Sequence, residues 1–173
     1  MYKDEFNEML NGWENYLKSL ETKMQHAIKT ILIEIIGNDK VYAIFFEYEY
    51  ELINTKFEAF DDQENILAAK YNILLDEINC KTLFPKEWLD KEYKMEFEKR
   101  DANDEEFENS YNEFENKKCE IYEKWFQLCW NNIKTEYNNI PRAYFSIHDT
   151  KYKIDLSTGN EIDTDMIWKK EYN

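Results

Sequence analysis

The sequence is short of the residues that bend a backbone: Gly occurs 3 times and Pro 2 times in 173 residues. So few tight turns argue against a glycine-rich phosphate loop and against an all-β fold built on many hairpins. Cysteine is also scarce. Cys80, Cys119 and Cys129 form no CxxC pair, so neither a zinc signature nor a disulfide framework is encoded. Histidine is limited to His26 and His148, which leaves little side-chain acid–base capacity near neutral pH. Base is outnumbered: 37 acids face 22 lysines and arginines, a net charge of −15. That excess repels phosphate backbones and anionic lipid, so nucleic acid and membrane are disfavoured as partners and a basic protein is favoured. No apolar run reaches membrane-spanning length. The first ten residues, MYKDEFNEML, lack the apolar core of a secretory leader, so the expected compartment is the cytosol.

Aromatic residues make up 17% of the chain and apolar residues 43%. A single domain of this length buries a core without staples, and its large rings supply much of it. The first apolar stripe runs Phe6, Met9, Leu10, Trp13, Leu17, Leu20, Met24, Ala27, Ile28, Ile31, Leu32, Ile35. Steps of three and four predict one long amphipathic helix, with a weak point at Gly12 and a stop at Gly37-Asn38-Asp39. VYAIFFEYEYEL then alternates as a strand, buried on both faces in its first half, and Ile53–Phe60 continues as its hairpin partner. Asp61 or Asp62 caps a helix carrying Ile66, Ala69, Ile73, Leu74 and Ile78.

Residues 80–100 fit two readings. Pro85 and Trp88 suggest a loop or short turn, and Tyr93, Met95 and Phe97 alternate as in a strand, yet a helix is equally open. From Asn103 to Asn138 the helical stripe returns as Phe107, Tyr111, Phe114, Ile121, Trp125, Leu128, Cys129 and Ile133, flanked by Tyr122 and Trp130. AYFSIH and KYKIDL predict a second hairpin, residues 157–160 a turn, and residues 161–171 a short last helix. The fold class expected is α+β, an antiparallel sheet packed against long amphipathic helices in a single domain.

No catalytic, cofactor-binding or metal-binding residues are assigned. A cysteine–histidine pair lacks any motif, the Asp163 and Asp165 pair lacks the spacing of a calcium loop, and dispersed carboxylates of a hydrolase have no local signature. Charge placement is the remaining signal. Glu47, Glu49, Glu51, Glu58, Asp61, Asp62 and Glu64 face only Lys56 in their stretch. Asp101, Asp104, Glu105, Glu106, Glu108, Glu113 and Glu115 face no base, with Phe107, Tyr111 and Phe114 threaded between them. The plain explanation is solubility together with acids suited to a helix start. The functional one is an acidic docking face with aromatic anchors, of which Glu47, Glu49, Glu51, Asp61, Asp62, Asp101, Asp104, Glu105, Glu106, Phe107, Glu108 and Tyr111 are the candidate partner-binding residues.

The layout also resembles a known group. A leading helix, the strand VYAIFFEYEYE, a second strand ending in FDDQEN, the step Pro85-Lys86-Glu87-Trp88, a long acidic and aromatic helix and a final strand pair look like bacterial immunity proteins of polymorphic and contact-dependent toxin systems. The resemblance implies a cytosolic inhibitor, not an enzyme, that binds a cognate toxin domain. That domain is often a basic nuclease, and carboxylates then stand where phosphates would sit. An adaptor binding another protein, an acidic mimic of nucleic acid, and a hydrolase with dispersed carboxylates stay open beside it.

Overall fold

A computed structural model describes residues 2–36, 41, 43–48, 55–60, 86–100, 105–147 and 150–167. The first stripe forms one helix, α1 (Tyr2–Ile35), which runs through Gly12 without a break. Its predicted core positions are buried, except that Leu20 is only partly covered. At 1.5 Å per residue a helix of 34 residues is roughly 51 Å long. The expected helix after Asp61 lies outside the described residues, as do Asp61 and Asp62. The ambiguous stretch resolves as a helix, α2 (Lys86–Arg100), beginning one residue after Pro85. It is followed by α3 (Glu105–Lys134). On α3 the stripe is shifted from the expected one. Tyr122 and Trp130 are fully buried, while Leu128 is 46% exposed. The wide rings claim the sheet-facing side and turn the leucine outward.

The strands are β1 (Ala43–Tyr48), β2 (Thr55–Phe60), β3 (Arg142–Ile147), β4 (Tyr152–Asp155) and β5 (Glu161–Asp163). A four-residue helix, α4 (Thr164–Ile167), follows, so the expected helix over 161–171 begins as a strand. The sheet order is β2-β1-β3-β4-β5. Both expected hairpins are present, β1 against β2 and β3 against β4. The arrangement is α+β, but the sheet is mixed where an antiparallel one was expected. β1 and β3 run parallel, Ala43 beside Arg142 and Phe46 beside Phe145. Parallel neighbours need a crossover, and the chain spends β2, α2 and α3 on it.

α3 covers one face of the sheet through its rings. Phe126 stacks on Phe145 at 4.7 Å and meets Phe46 at 4.9 Å, and Tyr122 meets Phe145 at 5.3 Å. Ile44, Phe46, Ala143 and Phe145 join the helices in one core. The alternate residues Ala43, Phe45 and Tyr144 form a second cluster with Ile167 of α4 on the opposite face. Strand alternation thus accounts for a run, AIFF, that is buried on both sides. Between β4 and β5 the turn closes on Asp155, whose carbonyl accepts from Gly159 N at 2.7 Å and whose carboxylate accepts from Ser157 N at 2.7 Å. Gly159 has φ +76°, a conformation that favours glycine, while the nearest atom to a Cβ there would be the movable amide end of Gln127. After α3, Asn139 takes φ 59°, the left-handed conformation that asparagine tolerates.

Candidate functional site

α1 and α3 lie side by side and run parallel. Phe6 stacks on Phe114 at 4.8 Å near their starts, Lys3 pairs with Glu113 at 3.5 Å, and Lys29 pairs with Glu136 near their ends. Two helix N-termini therefore meet at one end, with Tyr2 edge-on to Phe107 at 5.4 Å. Each start carries the partial positive charge of unpaired N–H groups, and two such ends together draw carboxylates. Asp4 and Glu5 supply them from the first turn of α1, with Glu8 one turn further on, and Glu105, Glu106 and Glu108 from α3. Asp4, Glu8, Glu105 and Glu106 are exposed. Glu5 pairs with Lys91 of α2 at 3.3 Å. Glu113, one turn further along, is held below the usual carboxylate range by Lys117 and then Lys3.

This acidic end differs in membership from the face expected from sequence. Phe107 and Tyr111 are 0% and 6% exposed and pack on Phe6, so they are core residues and not surface anchors. A helix stripe that buries rings on α1 has none to offer a partner. Glu47 stands elsewhere, on the sheet face opposite α3. Its carboxylate pairs at 3.3 Å with Lys153, which donates to Ser146 Oγ at 2.8 Å and lies 5.7 Å from the Phe45 ring. Glu49, Glu51, Asp61, Asp62, Asp101 and Asp104 lie outside the described residues. Asp4 and Glu8 were missed because only the parallel pairing of two distant helices brings them to the same end of the pair as Glu105.

Exposed rings come from α2 instead. Tyr93 is 52% and Phe97 74% exposed, one helical turn apart. The Lys91–Glu5 pair sets α2 against the start of α1 at the acidic end. The inner side of α2 is fixed by a buried ion triad. Lys118 Nζ donates to Glu92 Oε1 at 2.6 Å and lies 2.6 Å from Glu115 Oε1. The ammonium also sits 5.5 Å from the Trp13 ring and 5.3 Å from that of Phe114. Burial would lower the Lys118 pKa, but Glu92 and Glu115 outweigh it and the net shift is upward.

Other chemistry is thinly represented. Burial pushes the Cys119 thiol up to about 11 and the Cys129 thiol up to about 12, far from a nucleophilic thiolate. His26 is exposed on α1, and Cys80 and His148 lie outside the described residues. Asp163 is paired with Lys151 at 2.8 Å. Among the described residues no three metal-ligating side chains gather, and no helix is long and apolar enough to cross a membrane. An open groove of about 180 Å³ between α1 and α3 has Leu17, Trp125 and Leu128 along it, with Glu14, Lys18, Glu21 and Lys124 at its rim. Comparison of the chain with family models, curated proteins and solved structures finds no match.

Proposed function

We propose that this chain is an immunity-type protein that binds and neutralises a cognate bacterial toxin domain of basic character, acting in the cytosol without a cofactor or a reaction of its own. The observation that carries the reading is the meeting of two acidic helix starts at one end, with Asp4, Glu8, Glu105 and Glu106 exposed together. Helix dipoles alone account for acids in these positions. The net charge of −15 and the exposed rings nearby favour a partner as well. Carboxylates fixed on rigid helices attract a basic surface over a Debye length and occupy sites meant for phosphate. Glu47 enters this reading only as a structural ion pair.

The test is co-purification with the C-terminal domain of the protein encoded immediately upstream. A stoichiometric complex that suppresses that domain's toxicity is the expected result. With both proteins folded, failure to associate overturns the proposal. Within such a complex, reversing Glu105, Glu106 and Glu108 to Lys is expected to slow association by about tenfold or more at low salt and to flatten its salt dependence. Unchanged kinetics removes the start of α3 from the interface.

A further inference from the structure

The acidic end steers a partner but offers it no apolar anchor of its own, since Phe107, Tyr111 and Phe114 are all buried. Interfaces draw most of their affinity from a few desolvated side chains, aromatic ones above all. Resting on the proposed function, we infer that the outer face of α2 is the anchor: Tyr93 and Phe97 insert into the same basic protein domain that the acidic end attracts.

Three observations point to this. Tyr93 and Phe97 are exposed at a spacing of four, so both rings project from one face of the helix. α2 is held from behind: Glu92 is locked to Lys118, Glu5 reaches Lys91, and Met95 packs against the main core. A clamped helix presents its outer rings with little ordering left to lose on binding. Finally, the Lys91–Glu5 pair sets α2 against the start of α1, where Asp4 and Glu8 are exposed, so rings and carboxylates lie on neighbouring elements. α2 itself carries five acids and five bases, so the basic partner is selected by the acids at the starts of α1 and α3, and the net charge of −15 disfavours a second copy of the chain.

The experiment compares the wild-type chain with the double variant Tyr93→Ala, Phe97→Ala, using the upstream-encoded toxin domain as probe. Dissociation kinetics and oligomeric state are both read. Far-ultraviolet circular dichroism and a melting curve confirm the fold, which such exposed substitutions spare. The expected result is binding weakened by about 30-fold or more, carried by faster dissociation, with association changed little. Equal binding by wild type and double variant overturns this inference and leaves the proposed function standing. A wild-type dimer that the double variant dissolves assigns the rings to self-association and overturns it too. If the wild type does not bind the probe at all, the proposed function fails and the anchor fails with it.

Discussion

The two ends of the parallel helix pair are built on different principles. Where α3 covers the sheet, Tyr122, Phe126, Cys129, Trp130 and Ile133 meet Met24, Ile28, Ile31 and Leu32 of α1 and the inner residues of β1 and β3, and all are apolar. At the other end, rings of Phe6, Trp13, Phe107 and Phe114 share their space with Glu92, Glu115 and Lys118, each 7–8% exposed. Apolar burial is strong and undirected. A buried ion triad is costly to desolvate and returns little net stability, yet it accepts only one arrangement of its helices. The sheet end therefore holds the molecule together, while the triad fixes where α2 sits, and α2 is the element that carries exposed rings.

The largest effect expected from breaking this contrast is at the sheet end. Phe126 is 0% exposed and wedged between Phe145 and Phe46. Phe126→Ala is expected to cost about 3–5 kcal/mol, as cavity-forming truncations of buried rings do. Chemical denaturation checks it, and the loss should appear as one cooperative shift in midpoint. A loss below about 1 kcal/mol would mean that the sheet end is not the stabilising core.

Next comes the triad, where a pair of variants separates the two principles. Lys118→Met alone leaves two buried carboxylates without their cation and is expected to cost about 3–5 kcal/mol. The triple variant Lys118→Met, Glu92→Leu, Glu115→Leu removes all the charge and should recover most or all of that loss. Denaturation of the three proteins side by side measures this. Recovery in the triple variant marks the triad as a positioning device. Continued loss would make it a net stabiliser, like the core at the sheet end.

Legibility in the sequence followed the range of the interaction. The stripe of α1, most of that of α3, the AIFF strand buried on both faces and both hairpins were readable because the residues that define them lie within a few positions of each other. The parallel pairing of β1 and β3 was not, since nothing near Phe46 announces Phe145 as its neighbour. The same gap hid the acidic end, which joins Asp4 and Glu8 to Glu105 across about a hundred residues of chain. Phe107 and Tyr111 read equally well as anchors or as core, because a stripe shows periodicity and not what covers it. Residues 80–100 stayed undecided for another reason. Glu92 is an inward-facing charge, paired with Lys118 of α3, and it interrupts the apolar stripe that would have declared α2 a helix.

The smallest effect expected is a dependence on alkaline pH, and it probes both ends at once. Cys129, in the part of α3 that covers the sheet, has its thiol pushed up to about 12, and Cys119, beside the triad, up to about 11, from an ordinary value of 9.0. Lys118 is also raised above 10.5, although burial alone would lower it, because Glu92 and Glu115 favour its charged form. In each case the folded state holds its proton more tightly than the unfolded state. The stability tied to these protons is intact below the unfolded values and falls as pH rises through the folded ones. The thiols act first, from about pH 9, and Lys118 joins above about 10.5. Denaturant titrations between pH 8 and 11 are expected to show stability falling with a slope that steepens once lysine titrates. Cys129→Ala should flatten the early slope from the sheet end and Cys119→Ala from the triad end, whatever each substitution costs at neutral pH. A slope unchanged by either variant would mean that neither thiol is desolvated on folding, and the packing around Cys129 would then be looser than its neighbours Phe126 and Trp130 imply.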